Sequence, residues 1–185
     1  MRYKGKISEL KSIQIIFVDT KKQALMLYKK TKHKWKKIMY TKAYLGRNGV
    51  TKDKKEGDGK TPLGIYRLGP AFGLCENIQT KLDYIQLDNC LYWVDDCDSK
   101  YYNKLVDIKK VQKDWISAEH LIEFQKQYEY SVVIAYNTKC IKGKGSAIFL
   151  HCSVEKPTSG CIAIQKEKML ELLNLLEKHS IILID

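Results

Sequence analysis

The chain has 185 residues, of which 44% are hydrophobic and 29% are charged, and it carries a net charge of +12. This length and composition suit one domain with a substantial core, and they exclude a disordered, collagen-like or proline-rich linker protein. Apolar runs such as 15–18 and 147–150 are far shorter than the roughly 18 to 20 residues that span a bilayer. The sequence therefore predicts a soluble globular domain with no transmembrane segment.

The positive charge lies in the first third of the chain. Residues 1–60 hold 18 Lys and Arg against 5 Asp and Glu, whereas residues 61–185 hold 15 against 16, and eight lysines lie between Lys21 and Lys37. Such a cluster attracts polyanions, for example an anionic polymer of the cell envelope. Only Arg2 and Arg47 supply guanidinium groups in this third, so specific nucleic-acid binding is not predicted. The alternative is a lysine-rich surface that only faces solvent.

The cysteines and the N-terminus limit the class of protein further. Six cysteines stand at positions 75, 90, 97, 140, 152 and 161, with no C-x-x-C or zinc-finger spacing. This spacing predicts neither a metal site nor a dense disulfide scaffold. The apolar stretch 13–18 is too short for the core of a signal peptide, so the chain is either cytosolic or begins after a removed leader.

In chain order, short β-strands dominate the predicted elements. Strands are predicted over 13–18, 24–28, 34–40 and 65–68, the last one broken by the segment Gly69–Gly73, and a long irregular loop is predicted over 46–64. Strands over 84–87 and 91–94 form the next predicted pair. Strands follow over 130–135, 147–150, 161–164 and 181–184. Their spacing indicates an antiparallel sheet or a barrel-like sandwich.

Two helices are predicted within this mostly β chain. Apolar residues between Ser117 and Tyr128 suit a first helix with Ser117 as its N-cap. The segment from Lys166 to His179 places five apolar side chains on one helical face. No repeat or linker is visible, so residues 1–185 are predicted to form one domain, with the basic strands of residues 1–46 as part of it.

One histidine and one cysteine stand out as a candidate catalytic pair. His151 directly follows an apolar strand, and Cys161 begins another strand ten residues later. If the two strands are neighbours, the two side chains lie close at one sheet edge, where an imidazole can activate a thiol. Gly160 permits close approach of the backbone and exposes amide donors for an oxyanion. The alternative is a buried strand cysteine beside a hydrogen-bonded histidine.

Two segments carry a resemblance to a known family. Lys60-Thr-Pro-Leu-Gly-Ile-Tyr66, followed by His151 and then Thr158-Ser-Gly-Cys161, resembles the motifs of the L,D-transpeptidase catalytic domain of bacterial peptidoglycan enzymes. Ser159 is similar to the small residue that precedes the glycine in one branch of this family. The resemblance runs from about residue 47 to the C-terminus. It implies a mainly β fold with a few helices, of the sandwich- or barrel-like type.

The resemblance also implies a reaction. Cys161 would attack a tetrapeptide stem of peptidoglycan to form a thioester, with His151 as the base and the amides of Gly160 and Cys161 holding the oxyanion. The carbonyl of Cys152 or the hydroxyl of Ser153 would orient the imidazole. An amine would complete transpeptidation, and water would give L,D-carboxypeptidation or another hydrolysis. No metal or cofactor is implied, and the location implied is the cell envelope, periplasmic or extracytoplasmic.

Further residues are candidates for substrate binding. Aromatic side chains at Tyr66, Trp93, Tyr102 and Tyr136, together with Ser159, are predicted to line a groove for the stem, although aromatic strand residues more often belong to a core. The acidic residues Asp95, Asp96 and Asp98 are candidates for binding an ammonium group, or they simply face solvent. The class that competes with an enzyme is a non-catalytic module that binds the cell wall or nucleic acid through its basic third.

Overall fold

The computed structural model describes residues 12–32 and 34–185, and its regular elements are mostly short strands. The strands are β1 (Gln14–Asp19), β2 (Ala24–Lys30), β3 (Trp35–Lys42), β4 (Val50–Thr51), β5 (Thr61–Pro62), β6 (Gly64–Gly73), β7 (Tyr84–Gln86), β8 (Leu91–Val94), β9 (Leu105–Asp107), β10 (Ala118–His120), β11 (Tyr130–Ile134), β12 (Phe149–Cys152), β13 (Ile162–Ile164) and β14 (Ile181–Ile184). The helix α1 spans Lys166–Leu175, and one 3-10 turn spans Leu121–Glu123.

Nine strands form one sheet that almost closes into a barrel. The strand order is β13-β12-β11-β6-β14-β1-β2-β3, with β7 paired to β6. Just beyond β3, Tyr44 and Ala163 of β13 exchange two backbone hydrogen bonds of 2.8 and 2.9 Å, which join the two ends of the strand order. Closure protects edges that would otherwise offer unpaired backbone groups. The predicted mainly β, barrel-like fold is confirmed.

Strand β6 runs through the segment that the sequence predicts to break it. Leu68 pairs with Ile134 and Ala71 pairs with Val132, so two residues of β6 lie opposite the single residue between them on β11. One of those two residues is Pro70, which lacks an amide donor and is tolerated in a sheet at such a bulge. The predicted break at Gly69–Gly73 is therefore wrong, because the bulge accommodates the proline without ending the strand.

The predicted helix over 117–128 is also wrong. Ala118–His120 instead form β10, which pairs with β8, and the His120 ring stacks on the ring of Tyr92 at a centroid distance of 4.2 Å. These cross-strand contacts override the helical spacing of apolar residues, which continues only into a 3-10 turn. Strand β8 lies between β9 and β10 in a separate three-stranded sheet. The predicted pairing of 84–87 with 91–94 is thus wrong as well, since β7 pairs with β6.

The second predicted helix is present but ends four residues early. Helix α1 buries Met169, Leu172 and Leu173 against the sheet. At its C-terminus, the buried side-chain amide of Gln14 donates to the carbonyl of Leu175 and accepts from the amide of Glu177. These two bonds satisfy the backbone groups that another turn would have used, and so they stop the helix. Within the described chain, no helix is long and apolar enough to cross a membrane.

The two faces of strands β12 and β13 belong to different apolar clusters. Leu150, Ile162 and Ile164 face the main core, where they are packed with α1. Phe149 and Cys161 face a second cluster, which contains Tyr128 and Phe72 and receives Trp93 from the three-stranded sheet. Side chains alternate between the faces of a strand. The face that carries Cys161 is therefore covered by the smaller sheet rather than by α1.

Candidate functional site

Strands β12 and β13 are parallel neighbours, as the catalytic-pair hypothesis requires. Leu150 pairs with Ile162 and His151 pairs with Ala163. Because paired residues of parallel strands point to the same side, His151 shares its face of the sheet with Ala163 and with Cys161, two positions earlier. A loop of only nine residues joins the strands, so the thiol stands next to the strand that carries the imidazole. His151 and Cys161 line one cavity.

The thiol of Cys161 is buried and held by backbone groups of Ala147 and Phe149. Its Sγ donates to the carbonyl of Ala147 at 3.1 Å and accepts from the amide of Phe149 at 3.3 Å. Burial, together with the nearby carboxyl of Glu119, raises the pKa of the thiol to about 12. The hydrogen bond from the amide of Phe149 and the charge of Lys54 lower the pKa, but by less than burial raises it. At neutral pH the thiol is therefore protonated.

His151 is a neutral imidazole in a fixed tautomer. Its Nδ1 lies 2.9 Å from the carbonyl oxygen of Cys152, and because a carbonyl only accepts, Nδ1 carries the hydrogen and Nε2 is the free acceptor. Of the two orienting groups that the resemblance implies, the structure shows the Cys152 carbonyl. Burial lowers the pKa of His151 to about 4. The pair is thus a neutral thiol and a neutral imidazole, rather than a thiolate–imidazolium ion pair.

The residue before the thiol has a conformation that only glycine adopts readily. Gly160 has a φ of 141°, and a Cβ there would lie 3.0 Å from the carbonyl oxygen of Lys60. Its amide donates to Thr158 Oγ1 at 3.1 Å, so the oxyanion donor implied for Gly160 is already engaged. The same hydroxyl donates to the carbonyl of Cys161 at 2.7 Å. Thr158 therefore fixes the turn that leads into the nucleophile.

Thr61 supports the site without lining either cavity described below. Thr61, which is fully buried, donates through Oγ1 to the carbonyl of Cys161 at 3.2 Å and accepts from the amide of Gly46 at 2.8 Å. The amide of Arg47 donates to the carbonyl of Thr158. The segment 44–62 thus holds the loop before Cys161 from one side, which gives the predicted long loop a positioning role.

Two cavities meet at Cys161. The first, here called the His151 cavity, has a volume of about 200 Å³ and is lined by His151, Tyr128 and residues 156–159. The second, here called the Asp95 cavity, has a volume of about 280 Å³ and is lined by Arg47, Lys54, Glu56, Asp95, Glu119 and Ser146 among others. Cys161, Ser159 and Glu119 line both. A group bound in either cavity would lie beside the thiol.

Of Ser159 and the four aromatic residues predicted to line a groove for the stem, only Ser159 lines these cavities. Tyr66 and Tyr136 pack edge to face at 5.6 Å, and their hydroxyls donate to the carbonyls of Leu63 and Lys144. Trp93 packs on Phe149 at 4.9 Å and donates to Asn103. These aromatic residues therefore do not form the predicted groove. Each ring packs against other side chains, and each polar atom has a hydrogen-bond partner.

The predicted binding roles of Tyr102 and Asp98 are also not supported by their positions. Tyr102 is 2% exposed and its hydroxyl donates to Glu56, so it lies behind the Asp95 cavity rather than in it. The carboxyl of Asp98 is 97% exposed and pairs with Lys142 at 3.4 Å. Asp96 accepts bonds from the amides of Asp98 and Ile116, which fix its loop. Of the three predicted acidic residues, only Asp95 lines a cavity beside Cys161.

Tyr128 and Glu119 are among the residues of the site that the sequence did not predict. Tyr128 packs its ring edge to face on the imidazole of His151 at 5.6 Å, and its hydroxyl donates to Glu119 Oε2 at 2.5 Å. Burial raises the pKa of Glu119 to about 7, against the effect of the Tyr128 bond. Both residues fall in the segment predicted to be a helix. The pairing of β10 with β8, which has no local signal, brings them to the thiol.

Comparison with known proteins identifies the family. A family model of the L,D-transpeptidase catalytic domain, YkuD, matches residues 13–184, which is nearly the whole chain. The chain belongs to this family, as its motifs indicate. No curated protein matches the chain.

Two solved structures with the same fold come from bacteria. The chain is 18% identical to the helical cell shape determining protein Pgp2 from Campylobacter jejuni, with a TM-score of 0.52, over 94% of this chain and 47% of that one. It is also 18% identical to Bd1075 from Bdellovibrio bacteriovorus, with a TM-score of 0.50, over 94% of this chain and 48% of that one. The chain thus spans about half the length of these structures. At this identity the likeness shows the fold alone.

Proposed function

We propose that this chain is a peptidoglycan L,D-transpeptidase that transfers the acyl group of a tetrapeptide stem through a thioester on Cys161. The observation that carries the proposal is the shared cavity of the Cys161 thiol and the neutral His151 imidazole, whose Nε2 is free to accept a proton. The family match supports the class of substrate. The chemistry needs no metal or organic cofactor, because a thiol and a base suffice for acyl transfer.

In the first half-reaction, the Sγ of Cys161 attacks the carbonyl that links the third residue of the stem to the terminal D-Ala. His151 Nε2 takes the thiol proton as the C–S bond forms, and it then gives that proton to the leaving amine of D-Ala. The thiol must first release the carbonyl of Ala147, its acceptor at rest. The amide of Cys161 is the proposed oxyanion donor, and Gly160 joins it if Thr158 gives up its bond.

The second half-reaction decides between the two related activities. Attack by an amine of a neighbouring stem gives a cross-link, whereas attack by water gives L,D-carboxypeptidation or another hydrolysis. Both use His151 as the base that activates the incoming nucleophile. The proposed substrates place the protein in the cell envelope, on the extracytoplasmic side. A role in cell shape, as the name of Pgp2 states for that protein, belongs to the same proposal.

Treatment with a carbapenem tests the covalent step. The strained lactam carbonyl is expected to acylate Cys161, so that the ring C–N bond opens and the intact mass rises by the whole mass of the drug. The Cys161→Ser variant keeps the shape of the site and is expected to form no thioester adduct. A folded wild-type protein that forms no adduct, measured by intact-mass spectrometry, would instead favour a non-catalytic wall-binding module.

The lysine cluster between Lys21 and Lys37 lies on an exposed surface. All eight lysines between Lys21 and Lys37 are exposed, and most of them belong to or flank strands β2 and β3. Lysines on an edge strand also discourage strand pairing between molecules, which needs no partner. We propose that this surface attracts the enzyme to an anionic envelope polymer, because clustered charges act over distances of about 10 Å at 0.1 M salt.

Neutralising part of this surface is expected to weaken binding to purified sacculi without changing turnover. A triple variant of Lys30, Lys36 and Lys37 to Gln should lower the bound fraction in a pull-down and flatten its salt dependence. The matched control changes Lys109, Lys110 and Lys113 to Gln, which removes the same charge from an exposed segment elsewhere. Equal pull-down of both variants and the wild type would show that the lysines only face solvent.

A further inference from the structure

The Asp95 cavity holds three carboxyl groups that lack a cationic partner. Glu56, Asp95 and Glu119 all line it, and in the described part of the chain none of them forms an ion pair with a lysine or arginine. Glu56 accepts from the hydroxyl of Tyr102, and Glu119 accepts from that of Tyr128. Carboxyl groups gathered in one cavity repel each other once ionised, so a bound cation would stabilise all three.

Two buried oxygens in the walls of the same cavity have no hydrogen-bond partner. Asp95 Oδ1 and Ser146 Oγ are both buried, and within residues 12–32 and 34–185 neither contacts a donor or acceptor. Ser146 is only 6% exposed. A buried polar atom without a partner costs free energy, and such atoms mark places where a ligand or water completes the bonding. The hydroxyl of Ser146 is not part of the carboxyl cluster, so it is an independent sign of a binding site.

The two basic residues of the cavity do not neutralise it. Lys54 Nζ is bound to Asp58 Oδ1 at 2.5 Å and to the carbonyl of Lys55 at 3.2 Å, so its charge is already compensated. Arg47 lies at the exposed rim, where its Nη1 donates to Ser159 Oγ at 2.6 Å. The interior therefore remains acidic on the side of Asp95 and Glu119, next to the thiol.

The spread of the carboxyl groups indicates the kind of cation. Among the described residues, no three His, Cys, Asp or Glu side chains lie close enough to hold a metal ion. A primary ammonium group on a flexible aliphatic chain has three donors and can bond to carboxylates that lie farther apart. A cavity of about 280 Å³ admits such a group beside Cys161.

We propose that the Asp95 cavity is the subsite for the ammonium group of the acceptor in transpeptidation, with the carboxyl groups of Glu56, Asp95 and Glu119 as its ligands. The proposal rests on the proposed function, and it assigns the His151 cavity to the acyl donor. Glu119 lines both cavities, so it lies where the acceptor meets the thioester. Its pKa of about 7 suits a group that takes a proton from an ammonium near neutral pH.

In the acceptor step, an amine replaces the thiol of Cys161 on the acyl group. The bound ammonium loses one proton to the Glu119 carboxylate, and the free amine attacks the carbonyl carbon of the thioester. A C–N bond forms and the C–S bond breaks. The second nitrogen proton passes to His151 Nε2, which returns it to Sγ, while Glu119 releases its own proton to solvent. Thioester and ammonium thus become amide, thiol and one proton, with no change in oxidation state.

A partition experiment tests this subsite. The enzyme is acylated with a stem tetrapeptide in the presence of ethanolamine, an ammonium at neutral pH, and mass spectrometry gives the ratio of ethanolamide to hydrolysed product. Asp95→Asn is expected to lower this ratio roughly tenfold, because a charged partner of the ammonium is lost. Glu56→Gln is expected to lower it in the same direction. With hydroxylamine, a neutral nucleophile, the ratio should not change.

The control is Asp98→Asn, which removes the same charge three residues away, from a fully exposed side chain. It should leave the ethanolamide ratio at the wild-type value. An unchanged ratio in Asp95→Asn, or in Glu56→Gln if Asp95→Asn does not fold, would overturn the subsite while leaving the acyl-enzyme intact. A wild-type protein that forms no acyl-enzyme would overturn the proposed function and the subsite together.

Discussion

Replacing Cys161 by serine is expected to reduce turnover of a disaccharide-tetrapeptide to the background rate, a loss of at least about 10³-fold. The covalent route needs a sulfur nucleophile, and a serine hydroxyl is far harder to deprotonate beside a neutral imidazole. Serine can still donate to the carbonyl of Ala147 and accept from the amide of Phe149. The melting temperature should therefore stay close to that of the wild type.

Alanine at the same position separates catalysis from stability. It also abolishes turnover, but it leaves the buried amide of Phe149 without its sulfur partner, which costs about 1–3 kcal/mol of unfolding free energy. The control is Cys90→Ala, which removes a buried thiol outside both cavities and should keep full activity. Turnover is measured by product formation. If it persists in Cys161→Ser, Cys161 is not the nucleophile, and the thiol of Cys152 becomes the next candidate.

Replacing His151 by glutamine is expected to slow acylation by about 10²–10⁴-fold at pH 7, the usual contribution of a general base. The glutamine amide can still donate to the carbonyl of Cys152, so the strand end should keep its shape. In the wild type, the imidazole is unprotonated well above pH 4, and the acylation rate should be level across neutral pH.

The pH dependence of acylation by His151→Gln tests the role of the imidazole more directly. Without a base, the reaction depends on the thiolate fraction, and burial raises the pKa of the thiol to about 12 rather than leaving it near the free value of about 8.5. The acylation rate of His151→Gln should thus rise about tenfold per pH unit from pH 7 to 10, so its deficit shrinks only at alkaline pH. Stopped-flow acylation by a carbapenem measures both profiles, and parallel profiles would rule out His151 as the base.

The sequence contains enough information to bring the thiol and the imidazole together. Each residue adjoins a short apolar run, and the short loop between the runs favours neighbouring strands, although it does not predict that they are parallel. The requirement for glycine at position 160 also has a local cause, its φ of 141°. These features depend on nearby residues, and local patterns predict them.

The acidic side of the site depends on contacts that no local pattern reveals. Glu119 reaches the thiol because β10 pairs with β8, and that pairing overrides a helical spacing of Leu121, Phe124 and Tyr128. The predicted aromatic groove failed for the opposite reason. Tyr66 and Tyr136 have the composition of a binding surface, yet their partners are backbone carbonyls and each other. Side-chain type alone does not distinguish these two outcomes.

The position of the last strand has a consequence for how the molecule folds. Strand β14 lies between β1 and β6 in the middle of the nine-stranded sheet, and its neighbour Ser180 bonds to Gln14 across 166 positions. Contacts this distant in sequence form slowly, because a long loop must close before they are made. During synthesis, β1 and β6 stay unpaired along one edge until residues 181–184 emerge. The sheet can therefore be completed only after this strand has been synthesised.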